Sequence, residues 1–128
     1  MEASALLDAH VQLKRAYTAL NEALDLTRQL ADAVDRNDEI TIQMLVSMRQ
    51  EPTTKLAGAY QALDQQKAAL NEADRARLTA LLDGAAAGEA PEKPLANQVG
   101  LNRRVLKQLV DLDRVVNQKV ARDKSIYS

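Results

Sequence analysis

One histidine, three aspartates toward the C-terminal end and a methionine pair are the side chains from which chemistry would have to be built in this chain. His10 would serve as a metal ligand or a general base. It has no second histidine, no cysteine and no Glu-x-x-His companion, so a helical metal site lacks its ligands. It falls among Leu6, Leu13 and Tyr17 at a heptad core position and reads as a half-buried helical histidine. Asp111, Asp113 and Asp123 would do acid–base work only in a pocket that shifts their pKa. Each has a base within a turn: Lys107 ahead of Asp111, Arg114 beside Asp113, Lys119 ahead of Asp123. Solvated helix ion pairs are therefore expected. Asp113 alone falls within an apolar arc, where a polar residue sets register or meets a polar partner. The serines have no His–Asp context, and the glycines at 58, 84, 88 and 100 form no phosphate loop. Met44 and Met48 stand at i, i+4 beside Ile40 and Leu45. Such a pair suits an adaptable binding surface, but the spacing reads as core, and so do the positions of Tyr17 and Tyr60. Tyr127 falls beyond the expected last helix, beside Ile126, with nothing local to pack on. No enzyme activity and no cofactor are expected.

The elements that would position these residues follow from composition. At 128 residues the chain is one domain with a modest core. Seventeen basic and eighteen acidic side chains leave a formal charge of −1, without the basic surface that nucleic acid or an anionic membrane attracts. Cysteine is absent, which excludes disulfides and thiolate metal sites and fits a reducing compartment. MEASALLDAHVQLKRAY places charges where a secretory signal is apolar. No apolar run approaches the roughly 20 residues of a membrane span, so a cytoplasmic location without membrane insertion is expected. Three tyrosines are the only aromatics. Ala and Leu dominate with Gln, Glu, Lys and Arg, all strong helix formers, and the β-branched residues do not alternate. An all-α fold is expected.

The first helix is expected over about 4–35, with Ser4 as N-cap. Leu6, Leu13, Leu20, Thr27 and Val34 hold one heptad position, and His10, Tyr17, Leu24 and Ala31 the other. That is a rod of about 45 Å at 1.5 Å per residue. DRND at 35–38 makes the turn, with Asn37 or Asp38 capping a second helix. Ile40, Met44 and Met48 form one row there, with Leu45 beside them. Pro52 removes a backbone bond, so either a kink or a break near 50–53 is expected, or a new helix that opens on Pro52. The pattern resumes through Leu56, Tyr60, Leu63 and Leu70. Residues 71–84, NEADRARLTALLDG, read as a short helix capped by Asn71 with Asp74 and stopped at Gly84. AAAGEAPEKP at 85–94 reads as a flexible linker, and the last helix as about 95–123. The expected architecture is a single helical domain. Residues 1–84 form an antiparallel helical hairpin with a short extra helix, and residues 95–128 a third long amphipathic helix with its tail, in a three-helix, coiled-coil-like bundle. The third helix either packs along the hairpin or stays partly free on its tether.

That last helix carries more apolar surface than a hairpin covers. Leu101, Val105, Leu109, Leu112, Val116 and Val120 take one broad face at about 100° per residue. Leu106, Val110 and Val115 widen it to roughly 200°, against the ~100° of an ordinary surface helix. Five such side chains left wet forgo roughly 1.5 to 3 kcal/mol each. A helix from another protein, laid in a groove, recovers part of that.

Three stretches carry a family likeness. NDEITIQMLVSMRQ at 37–50 is an acidic turn leading into a second helix. VGLNRRVLKQLVDLDRVVNQKV at 99–120 is a last helix with Asn102 ahead of a Leu-rich run. IYS closes the chain. Together they resemble the FlgN-type flagellar export chaperones, in a layout that spans nearly the whole chain. The resemblance implies a cytoplasmic, ATP-independent chaperone. Such proteins hold the amphipathic C-terminal helix of a hook–filament junction protein against their own last helix, block its premature assembly and deliver it to the flagellar export gate. The resemblance assigns Leu106, Leu109, Leu112, Val116 and Val120 to the substrate face and Tyr127 to the gate contact. The alternative is a structural coiled-coil scaffold that dimerises through the same seam, and self-association of the free chain stays open.

Overall fold

The computed structural model describes the backbone of residues 1–127 and the side chains of residues 1–122. Every regular element among them is helical: α1 (Ala3–Asp35), α2 (Glu39–Met48), α3 (Gln50–Ala68), α4 (Glu72–Leu82), a single 3-10 turn (Ala90–Glu92) and α5 (Lys93–Tyr127). The protein is an all-α helical bundle.

α1 is the central rod. The row Leu6, Leu13, Leu20, Thr27 and Val34 is buried throughout, as the heptads predict. The second buried row is Ala9, Ala16, Ala23 and Leu30, one residue ahead of the expected one. Of His10, Tyr17, Leu24 and Ala31, only Leu24 is fully buried. Ala19 and Ala33 widen the covered arc further, because α1 packs against α2 and α3 on one side and α5 on another. Alanine lets those backbones approach. Thr27 is tolerated in the core because its hydroxyl donates to Ala23 O of its own helix at 2.7 Å. Ser4 does not cap α1; Glu2 precedes the helix and makes no side-chain cap bond.

The direction of each neighbour follows from its contacts. Leu45 of α2 clusters with Leu30, Ala33 and Val34. Lys55 Nζ of α3 lies 3.7 Å from Glu22 Oε2, and Gln66 Nε2 donates to Asp8 O at 3.3 Å. Numbers fall along α1 as they rise along α2 and α3, so these helices run antiparallel to it. α5 runs parallel. Asn102 bonds to Leu13, Val105 clusters with Leu20 and Leu24, and Lys119 Nζ sits 2.7 Å from Asp35 Oδ1. α5 is thus docked along α1 from Leu95 to Val120. Leu78 and Leu81 of α4 close one end of the bundle against Leu6, Leu63 and Leu95.

The turns use the residues that suit them. Asn37 takes a left-handed φ of 55°, which asparagine tolerates. Asp38 caps α2, accepting from Thr41 N at 3.2 Å and from its hydroxyl at 2.7 Å. Those bonds, the hydroxyl first, hold its carboxyl below the ordinary value. The break expected near Pro52 falls at Arg49, whose backbone stays nearly helical (φ −66°, ψ −15°). Pro52 is then the third residue of α3, where an N–H has no intrahelical acceptor to lose. Asn71 caps α4 by accepting from Asp74 N at 2.8 Å. Gly84 ends α4 at φ 103°, and Ala85 N donates back to Ala80 O at 2.9 Å.

Residues 85–94, expected as a loose linker, are tied to α4. Arg77 donates to both Glu92 carboxylate oxygens, at 2.9 and 2.7 Å, and to Ala86 O at 3.0 Å. Gly88 N adds a bond to Glu92 Oε1 at 2.8 Å. Glu92 is only 6% exposed. The Arg77 bonds, then the Gly88 amide, lower its carboxyl from an ordinary 4.5 to about 2. A carboxylate more acidic when folded stabilises the fold above its ordinary pKa and stops doing so as pH falls toward the folded one. The wild type is therefore expected to lose urea resistance between pH 4.5 and about pH 2 more steeply than Glu92→Gln, the two midpoints converging at the acid end. Parallel midpoints over that range would show that the clamp contributes nothing. α5 starts two residues before the expected position, at Lys93, with Pro94 in its first turn.

Candidate functional site

α3 and α5 both sit on α1 yet scarcely approach each other. A furrow runs between them, with α1 beneath. Near α4 it forms a hollow of about 230 Å³, with Leu13 and Val99 at its base, Tyr60 and Lys67 on the α3 side, and Arg103 and Leu106 on the α5 side. Near the α1–α2 turn it opens to about 760 Å³ over Leu30 and Val34, between Thr53 and Thr54 on one side and Asn117 and Val120 on the other. Between the hollows, Leu56 and Leu109 pack on Leu20 and Leu24 and close the floor. Arg49 Nη2 reaches across the wider hollow to Asp113 Oδ1 at 3.0 Å. Asp113 therefore pairs with Arg49 at the α2–α3 break rather than with Arg114, and it ties α5 to that break. Lys119 bonds Asp35; the side chain of Asp123 lies outside the described residues.

The six residues assigned by resemblance divide between two roles. Leu106 is 39% exposed and lines the smaller hollow. Val116 is not on an outer face: it is 3% exposed, clustered with Leu30, Ala33, Val34 and Leu45, and meets the furrow only at its floor. Val120 packs half-buried against the same cluster at the furrow's edge. Leu109 and Leu112 are half-buried on the Leu20–Leu24–Val105 cluster, so they hold α5 to α1. The Tyr127 side chain lies outside the described residues, although its backbone continues α5 rather than forming a tail. The apolar arc of α5 is broad because its centre faces α1 while both margins stay exposed. Leu106 lines the furrow beside α3; by helix pitch Val110, 47% exposed, follows it one turn along the same side, and exposed Leu101 and Val115 fall on the opposite margin.

Two further expectations change. Tyr60, expected in the core, is exposed on the furrow wall, and partial burial raises its phenol pKa. Met44 and Met48 are also exposed, and Ile40 is 83% exposed. The row at i, i+4 is real but turned outward. Leu45 points inward instead, and the nearly helical Arg49 keeps it in phase with Pro52, Leu56, Ala59 and Leu63 of α3. Val46, from the same helix, joins the wall of the wider hollow.

The two hollows offer apolar side chains with few ionisable groups beside them. His10 is half-buried with Nδ1 buried and unpartnered. Burial, then the Lys14 charge, lowers its pKa, so protonation is disfavoured and no hydrogen-bonded companion orients it. Among the described residues, no group of three or more His, Cys, Asp or Glu is placed to hold a metal ion. No helix there is long and apolar enough to cross a membrane. The strongly shifted carboxylate, Glu92, belongs to the α4 clamp and lines neither hollow. Comparison of the chain with protein-family models, curated proteins and solved structures returns no match.

Proposed function

We propose that this chain is a cytoplasmic export chaperone of the FlgN type, built as a helical hairpin with a third long helix. It takes the amphipathic C-terminal helix of a hook–filament junction protein into the furrow between α3 and α5. The observation that supports this is the furrow itself, an uncovered trough with exposed Leu106 and Tyr60 in its lining and exposed Val110 one turn along α5 from Leu106. A bound helix would dry those side chains, shield its own apolar face from premature assembly and leave again without ATP. Leu106 and Val110 grip it from the wall, and Val116 and Val120 supply floor. Leu109 and Leu112 keep α5 in place. Tyr127, at the end of α5, is the contact offered to the export gate. Titration of junction-protein C-terminal helices into the full chain by calorimetry is expected to give one-to-one binding. Leu106→Asp should weaken it more than tenfold, since burying a leucine is worth roughly 1.5 to 3 kcal/mol, without moving the thermal midpoint. No binding by any such helix overturns the proposal.

The exposed Ile40, Met44 and Met48 on α2 favour a second reading, a scaffold that self-associates. Light scattering over a dilution series would show dimers that take up no helix; a monomer at every concentration removes this reading.

A further inference from the structure

Resting on the furrow as a helix-binding site, we propose that the bound helix carries a row of acidic side chains along the edge that meets α5. Arg103, Lys107 and Arg114 stand at i, i+4 and i+11, one stripe of α5, next to Leu106 and Val110. All three are exposed. None has an ion-pair partner among the described residues. Arg103 donates one N–H to the Asp83 carbonyl, at the end of the smaller hollow.

The other charges that line the two hollows are matched except at the α4 end, where Asp83 forms no ion pair among the described residues. Asp113 is held by Arg49 at 3.0 Å. Asp64 and Lys67 of α3 pair with each other at 3.5 Å. Thr53, Thr54 and Tyr60 complete a neutral wall. The furrow thus has an apolar floor and a neutral α3 wall; on the α5 side Arg103 lines it, and Lys107 and Arg114 continue the same stripe along its outer rim, in a chain whose formal charge is −1. An amphipathic helix lying in it sets its apolar stripe on the floor and turns one edge to the three cations. Acidic residues spaced by a turn on that edge meet them, and basic residues there are repelled. Because one edge alone is acidic, the row also selects the direction in which the helix lies. A phosphate backbone or a lipid surface is the poorer match, since three cations on one stripe beside apolar side chains make no broad basic face.

The test uses synthetic amphipathic helices that share one Leu-rich face and differ only along one edge, with Glu, Gln or Lys. Anisotropy against the full chain at low salt is expected to rank them Glu, Gln, Lys. The extremes should differ by about tenfold, which is what three rim ion pairs of ordinary strength provide, and the gap should narrow at high salt. Lys107→Glu/Arg114→Glu, checked for an unchanged melt, should reverse the order. Lys107→Gln/Arg114→Gln should level it should the reversal not fold. Equal affinities for all three helices, with Leu106→Asp still weakening each, leave the furrow standing and overturn the acidic row. Binding by none overturns both. A short DNA duplex that outcompetes the Glu helix overturns the choice of a protein helix as occupant.

Discussion

A Val116→Asp chain is expected to unfold at a far lower urea concentration than the wild type, and a Val110→Asp chain at nearly the same one. The two valines are six residues apart on one helix, and both belong to its broad apolar arc. Val116 is 3% exposed and packs with Leu30, Ala33, Val34 and Leu45, where α1, α2 and α5 meet. Aspartate there forfeits roughly 2 kcal/mol of apolar burial. It also places an unpaired carboxylate among aliphatic side chains, which costs about 2 kcal/mol or more again. The sum is a large fraction of the ~5–15 kcal/mol that holds a domain together. Val110 is 47% exposed, and a surface change of this kind usually stays within about 0.5 kcal/mol. Urea titration followed by circular dichroism separates the two. Loss of helix binding by Val116→Asp would therefore report unfolding, whereas loss by Val110→Asp would report the furrow. A Val116→Asp protein as stable as the wild type would mean that α5 does not dock on α1 in solution.

Periodicity found the helices and one face of α1, because Leu6, Leu13, Leu20, Thr27 and Val34 repeat every seven residues and all are buried. It passed over the alanine row at 9, 16 and 23, since alanine carries too little hydrophobic signal to mark a core face. That row matters because α1 is covered on two sides, and a rod so covered has no single stripe. Turn chemistry was legible at Gly84 as a helix stop and at Asp38 and Asn71 as caps, whereas Asn37, read as the other candidate cap, instead takes the positive φ of the turn. Met44 and Met48 were misplaced for another reason. A run such as ITIQMLVSM offers several apolar rows of equal quality, and the choice among them is made by Pro52, Leu56 and Leu63 farther along the chain. The furrow was half legible. The excess of apolar surface on α5 was plain, but which margin stays exposed depends on where α3 lies, and that is a tertiary fact. The Arg77–Glu92 clamp pairs residues fifteen apart across a segment rich in Gly, Ala and Pro, and no local pattern announces it.

Asn102→Ala is expected to lower stability by roughly 2 kcal/mol, a cost out of proportion to the few atoms removed. Asn102 is buried where α5 crosses α1; its Nδ2 donates to Leu13 O at 2.9 Å and its Oδ1 accepts from Gln98 Nε2 at 2.9 Å. Gln98 is buried too. Alanine removes the interhelical bond and leaves the Gln98 amide with a stranded donor, which is the expensive way to lose a hydrogen bond. Replacing both partners, in Gln98→Leu/Asn102→Leu, removes the stranded group and should restore most of the loss. Restored stability need not restore the fit. The apolar face of α5 is generic Leu and Val, so nothing in it prevents a slip by one turn along α1. The polar contacts that resist such a slip are Asn102 with Leu13, Arg103 with the Asp83 carbonyl, Asp113 with Arg49 and Lys119 with Asp35. The double variant loses the first of these, the one that ties the first half of α5 directly to α1. Amide exchange along the first half of α5 is therefore expected to be faster than in the wild type at matched global stability. An Asn102→Ala chain with the wild-type urea midpoint would show that the bond to Leu13 does not hold α5, and the register would then have to come from Arg103–Asp83, Arg49–Asp113 and Lys119–Asp35.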